Sequence, residues 1–199
     1  SWDEGTVAME PTAEEPGIKT YTCEVCEETR TEEIPYEGTV SSSVQRISGS
    51  NRVKTALSVA AALKDTLGGE KFKAVVIAAG DNEKFADALA GSYLAVVNKA
   101  PILLYTASGM SDLNVQFIKE NLSENGTIYL LGGVNSIPDT AMEKLADYNV
   151  KRIAGSSRYS TNLAILEETG VGNKEILVAT GKSFADSLSI SAAGLPILL

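Results

Sequence analysis

Residues 74–105 read AVVIAAGDNEKFADALAGSYLAVVNKAPILLY, and this stretch decides the fold. AVVIAA is a continuous apolar run, which marks a strand in a sheet covered on both faces. Residues 85–97 read as a helix, and PILLY reads as a second buried strand. Strand, helix and strand in that order imply a parallel pair joined by a right-handed crossover. The pattern continues outward in both directions. Upstream, VQRI (44–47) reads as a short strand. Residues 51–67 place Val53, Ala56, Leu57, Ala60, Ala61 and Leu63 at helical spacing. Downstream come a helix over 112–122, the strand TIYLL ended by Gly132 and Gly133, a helix over 138–148 with Pro138 in its first turn, and the strand NVKRI. The predicted class is α/β, three-layered, around a parallel sheet.

Three phrases then recur in the same order. RISGSNRVKT (46–55) returns as RIAGSSRYST (152–161), GDNEKFADALAGSYLA from Gly80 returns as GKSFADSLSISAA from Gly181, and PILL (101–104) returns at 196–199. Ordered recurrence means an internal duplication. The second copy repeats the helix at 159–169, the strand EILVAT, the helix at 184–193 and the strand PILL. It stops before any match to TIYLLGG, so the chain reads as about one and a half units of an excised fragment.

Charge separates the body from its leader. Residues 1–40 hold 11 acidic and 2 basic side chains, which accounts for the whole net charge of −9; residues 41–199 are balanced. The leader reads as a small β-rich module or linker, with a hairpin turning around residues 24–28 and a linker at TVSSSV (39–44). A balanced body has no basic surplus for nucleic acid, although a few focused Arg residues can bind an anion locally. No apolar run approaches the roughly 18 residues of a spanning helix. The chain has no histidine, which removes the commonest general base and the Ser-His-Asp triad. Cys23 and Cys26 are the only cysteines; two ligands do not make a zinc site, and a disulfide or free thiols are expected. Phosphate-loop and dinucleotide-loop patterns fail: Ile176 stands where ATGKSF needs a glycine, and GVGNKE precedes a strand. No cofactor or metal is expected.

The duplicated R-I-x-G-S-x-R-x-x-T supplies the candidate site. Gly49 and Gly155 allow a tight turn, and Ser50-Asn51 and Ser156-Ser157 offer helix caps. Arg52 and Arg158 fall in the first helical turn, where a cation opposes the helix dipole and needs a compensating partner. The recurring Asp87 and Asp186 are the candidates, giving expected pairs Arg52–Asp87 and Arg158–Asp186. Those pairs are either structural ion pairs locking the repeat or cations presented to an anionic ligand. The residues selected as ligand-binding are Arg46, Arg52, Thr55, Asp87, Arg152, Arg158, Thr161 and Asp186.

These phrases, with Y-L-L-G-G, resemble the cell wall binding repeat 2 family of clostridial and bacillar surface proteins, over about residues 45–199. The resemblance implies a Rossmann-like or Toprim-like unit that packs with sister repeats. It also implies non-covalent, non-catalytic attachment of a secreted surface protein to anionic secondary cell-wall polymers. The signature Arg residues of the family match Arg46, Arg52, Arg152 and Arg158. Val53 stands where the second copy has the more typical Tyr159. The domain reading is a β-rich module at 1–40, a first repeat at 45–151 and a truncated second repeat at 152–199. Two rivals stand beside it. One is a structural or oligomerisation module, in which the incomplete second repeat pairs with another chain. The other is an α/β enzyme domain using Asp87 or Asp186.

Overall fold

The computed structural model describes residues 1–12, 15–35, 45–81 and 84–199. They form two compact units, Ser1–Arg46 and Ile47–Leu199. The linker expected at 39–44 lies outside the described residues.

The first unit is an antiparallel meander of β1 (Thr6–Met9), β2 (Gly17–Thr22) and β3 (Thr29–Ile34). The hairpin sits where the alternating Thr pattern placed it, with Thr22 opposite Thr29. Its turn is closed by the Cys23 N–H donating to the Glu28 carbonyl at 2.8 Å and the Glu27 N–H donating to the Cys23 carbonyl at 2.9 Å. Glu27 has φ 60°, the left-handed region that such a turn requires. The Arg30 guanidinium lies 4.9 Å from both the Trp2 and Tyr21 ring centres, and this cation–π stack serves where few side chains are buried.

The second unit is built on four parallel strands, β4 (Phe72–Ala79), β5 (Ile102–Tyr105), β6 (Leu122–Leu131) and β7 (Asn149–Ile153), in the order β5-β4-β6-β7. Period-two alternation along AVVIAA divides the core. Val75, Ile77 and Ala79 face one cluster with Ala60, Ile118 and Leu145. Ala74, Val76 and Ala78 face another with Ala90, Leu94 and Ile165. The first cluster draws on α1 (Arg52–Thr66), α4 (Asp112–Asn121) and the region of α5 (Thr140–Glu143). The second draws on α2 (Phe85–Ala90), α3 (Ser92–Val97) and α6 (Arg158–Thr169). Helices cover both faces, so the three layers expected of a continuous apolar strand are present.

The second copy contributes to the first sheet. NVKRI, which opens that copy, is β7, and α6 packs on the sheet's second face. The remainder forms β8 (Leu177–Val178), α7 (Phe184–Ser191) and β9 (Ile197–Leu198), with β8 and β9 parallel. Buried Asn162 on α6 pins β9: its amide donates to the Ile197 carbonyl at 2.8 Å and its oxygen accepts from the Leu199 N–H at 3.1 Å.

Four expectations need correction. Residues 45–47 of VQRI are not a strand. The helix expected over 85–97 is two, α2 and α3, divided at Gly91, where an added Cβ would come 2.3 Å from a Leu131 methyl. The helix expected over 138–148 keeps only α5, because Leu145 and Tyr148 donate to carbonyls three residues back and tighten the chain into turns. EILVAT keeps only two strand residues. Its counterpart β4 is flanked by β5 and β6, whereas β8 pairs with β9 alone.

Candidate functional site

A groove of about 410 Å³ opens at the carboxyl ends of the parallel strands, the usual ligand side of an α/β sheet. Lys84, Asp87, Gly133, Ser136, Ser157 and Arg158 line it. Three loops bring them together: those before α2, after β6, and between β7 and α6.

The start of α6 is tightly specified. Ser157 caps it in a reciprocal capping box: the Ser160 N–H donates to the Ser157 hydroxyl at 3.2 Å, and the Ser157 N–H donates to the Ser160 hydroxyl at 2.9 Å. The Gly155 N–H donates to the Thr161 hydroxyl at 3.0 Å. The first copy repeats this bond, Gly49 N–H to Thr55 hydroxyl, also at 3.0 Å, with Asn51 capping α1. The loop folds back so closely that a Cβ on either glycine would meet helix backbone at 2.5 Å. The G-S-x-R-x-x-T phrase is therefore a loop-locking device, and Thr55 and Thr161 act in it through their hydroxyls.

The paired arginines also act alike. Arg158 donates to the Gly181 carbonyl at 2.5 Å, and Arg52 donates to the equivalent Gly80 carbonyl. Arg158 also lies 5.7 Å from the Phe85 ring centre, and Phe85 meets Phe184 edge-on at 5.8 Å. The two F-A-D phrases thus pack against each other through their aromatic residues.

Asp87 is buried, at 8% exposure. Its carboxylate fits beneath Gly132, where φ is 103° and an added Cβ would come 2.5 Å from Oδ2. Burial pushes the Asp87 carboxyl above the ordinary carboxylate range, while the Arg158 charge and a hydrogen bond from Ser136 pull it part of the way back. The charge facing Asp87 is thus supplied by the next copy's arginine, which corrects the expected pairing within each copy. Asp186 is exposed and lies outside the groove, and Arg158 donates to the Gly181 carbonyl instead.

Arg152 has a different task. Its guanidinium donates to the Gly132 carbonyl at 2.8 Å and to Asp139 at 2.9 Å, holding the loop after β6 against β7. Arg46 is exposed, at the end of the first unit. Sequence reasoning missed Lys84, whose amine donates to the Asn135 carbonyl at 2.8 Å on the groove wall. It also missed Ser136. Lys84 precedes F-A-D where the second copy has Ser183, so comparing the copies does not flag it.

The described residues that line the groove include one carboxylate and two cations. Among the described residues no group of His, Cys, Asp and Glu is placed to hold a metal ion, and no helix is long and apolar enough to cross a membrane. The sequence profile described as Cell wall binding domain 2 (CWB2) matches residues 46–142 and 152–199. The chain belongs to this family. The two matched segments meet the groove from both sides: Lys84, Asp87 and Ser136 in the first, Ser157 and Arg158 in the second. N-acetylmuramoyl-L-alanine amidase LytC of Bacillus subtilis (strain 168) is 28% identical over 162 residues, 78% of this chain and 31% of that protein. The chain therefore spans about a third of that relative's length. Cwp8 from Clostridium difficile aligns with a TM-score of 0.63 at 26% identity, covering 78% of this chain and 26% of that one. Cwp6 from Clostridium difficile aligns at 0.65 and 21% identity, covering 92% and 34%, a likeness of fold alone. The CWB2 assignment places the chain among cell-wall-associated proteins and makes wall binding its general role.

Proposed function

We propose that the CWB2 region attaches a secreted surface protein, without catalysis, to an anionic secondary cell-wall polymer, and that the groove at the junction of the two copies is the contact. One observation carries this reading: Arg158, Lys84 and the start of α6 converge on an open groove whose facing wall is the loop from Gly133 to Ser136. A polymer phosphate or carboxylate there meets charge-assisted donors and the positive end of a 12-residue helix. Raised by burial, the Asp87 carboxyl opposes an anion less than an exposed carboxylate does. Arg158 and Lys84 contact ligand in this scheme, Thr161 and Arg152 shape the loops around it, Thr55 locks the equivalent loop of the first copy, and Arg46, Arg52 and Asp186 lie outside the groove. Individually weak contacts add through repetition. The unit is read as Rossmann-like or Toprim-like, with repeats at 45–151 and 152–199.

Salt tests the mechanism. Retention on Gram-positive walls should fall at least about tenfold between low and high ionic strength, and Lys84→Ala and Arg158→Ala should each weaken it about tenfold, about 1.4 kcal/mol. Unfolding curves of both variants establish that they remain folded. Retention indifferent to salt and to both substitutions refutes the groove as the contact.

A second reading, pairing with another α/β unit, is favoured by one feature. Val178 (75% exposed), Phe184 (54%) and Leu188 (54%) present apolar surface on the second copy. Sedimentation velocity over a concentration series tests it: a monomer at every concentration removes this reading.

A further inference from the structure

The groove at the carboxyl ends of the strands has a counterpart at the opposite end of the sheet. A cleft of about 410 Å³ opens at the amino end of β4, where Leu67, Lys71, Lys73, Val97 and Lys99 line it and Glu70 is the carboxylate among its described residues. Two helices end at its rim, and they end alike. At the end of α1 the Gly68 N–H donates to the Asp65 carbonyl at 3.1 Å and the Gly69 N–H to the Lys64 carbonyl at 2.9 Å. At the end of α3 the Lys99 N–H donates to the Val96 carbonyl at 3.1 Å and the Ala100 N–H to the Ala95 carbonyl at 2.9 Å. Both are Schellman closures, whose first residue past the cap is left-handed and usually glycine. At this place α1 has Gly68, with φ 83°, and α3 has Lys99, with φ 49°. A lysine there carries a steric penalty at Cβ that glycine avoids. The helix dipole does not require it, since a cation elsewhere in the last turn serves the dipole as well. No internal partner offsets it either. Lys71, Lys73 and Lys99 are exposed, and among the described residues their ammonium groups make no ion pair or hydrogen bond.

We propose that this cleft is a second anion-binding site, which takes a phosphate or carboxylate group of an anionic glycan polymer between Lys71, Lys73 and Lys99. The polymer's identity rests on the attachment reading above; the anion rests on the cleft itself. Lys71 and Lys73 flank buried Phe72 and so share one side of the entry to β4. Lys99 reaches the cleft from the entry to β5, the neighbouring strand. Three cations against Glu70 leave an excess of positive charge with no internal acceptor. Leu67 and Val97 supply apolar contact for the carbon face of a sugar ring, and Val97 is 48% exposed. A concave cleft admits a chain, whereas a flat membrane surface would reach only its rim. The eight residues of β4 separate this cleft from the carboxyl-end groove by about 26 Å. Two contacts that far apart on one compact unit raise avidity toward a long polymer and add little for a short anion.

The test uses the full chain in two arms. In the first, tripolyphosphate is titrated in and followed by heteronuclear NMR. Amide shifts should appear at residues 71–73 and 98–100 and, separately, at 133–136 and 156–158. The triple variant Lys71→Ala/Lys73→Ala/Lys99→Gly should lose the first set and keep the second. In the second arm, Lys99→Gly and the triple variant are sedimented with complete and polymer-stripped Gram-positive walls. Lys99→Gly should unfold at a denaturant midpoint no lower than the parent's, because glycine suits the left-handed turn. Its retention on complete walls should nevertheless fall about threefold, and that of the triple variant about tenfold. Parental retention by the triple variant, or no shifts at 71–73 and 98–100, would overturn the proposal and leave the carboxyl-end groove standing. Failure of the attachment reading looks different: the parent would be retained equally on complete and stripped walls, which overturns the glycan as the occupant even if both sets of shifts appear. Binding to phosphatidylglycerol vesicles that the triple variant loses, without retention on walls, would overturn it in favour of a membrane surface.

Discussion

Asp87 and Asp186 occupy the same place in the same repeated phrase and live in different surroundings. Asp87 is buried beneath Gly132, accepts from Ser136 and faces Arg158. Asp186 is exposed. The helices carrying them start differently, with Ser183 capping α7 through its side chain and no side-chain cap on α2, while their phenylalanines pack together. The neighbourhood differs as well. Asp87 has a glycine loop from its own copy and an arginine from the next one, and the second copy has no described counterpart of that loop. A motif residue's role is thus completed by the following repeat. The groove is accordingly a property of the junction and of neither copy alone.

The sharpest way to break this comparison is Gly132→Ala. A side chain there adopts an unfavourable φ and drives into Asp87 Oδ2, so unfolding in denaturant should show a loss of about 2–3 kcal/mol. An unchanged midpoint would mean that Asp87 does not sit under Gly132.

The two loop locks offer a second comparison. Thr161→Val and Thr55→Val each remove the hydroxyl that accepts from a glycine N–H. Thr161 is buried, so its loss should cost about 1–2 kcal/mol, and the more accessible Thr55 less, because water replaces the bond there. Equal costs would show that burial does not decide the difference between copies.

The third prediction concerns pH. The folded-state pKa of Asp87 is raised, so the native state holds its proton more tightly than the unfolded chain. Its stabilising contribution is complete below the ordinary aspartate value and is lost as pH rises through the raised one. Asp112 has the opposite sign: Lys144, 2.7 Å away, lowers its pKa, and its contribution is lost as pH falls. Asp87→Asn should therefore make stability rise more with pH across the acid range than in the parent chain, and Asp112→Asn should make it rise less. Matching slopes for the two variants would contradict the assignment. The smallest effect expected is that of Asp186→Ala, within about 0.5 kcal/mol in stability, as for an exposed residue.

Much of this was legible in the sequence. AVVIAA announced a strand covered on both faces, and Val75 and Val76 do point into different clusters. The hairpin around Cys23–Glu28 followed from its Thr alternation. Arg52 and Arg158 reach equivalent glycine carbonyls, a shared contact that the motif reading did not name. Repeat logic failed for the carboxylates because it looks for partners within a copy, and the cation that acts on Asp87 is Arg158 of the next one. It was blind to Lys84, where the copies differ, and to the Arg152–Asp139 pair, whose members lie in unrelated phrases. The short β8 and β9 could not be foreseen either, since strand length depends on neighbours that the apolar pattern does not name.

The central claim is tested most directly by co-sedimentation of the intact chain with purified Gram-positive walls, before and after chemical removal of their secondary polymers, beside a folded Lys84→Ala/Arg158→Ala variant. Retention of the intact chain on complete walls alone, lost by the variant, is the predicted result. Equal retention on stripped and complete walls, or full retention of the variant, would contradict it.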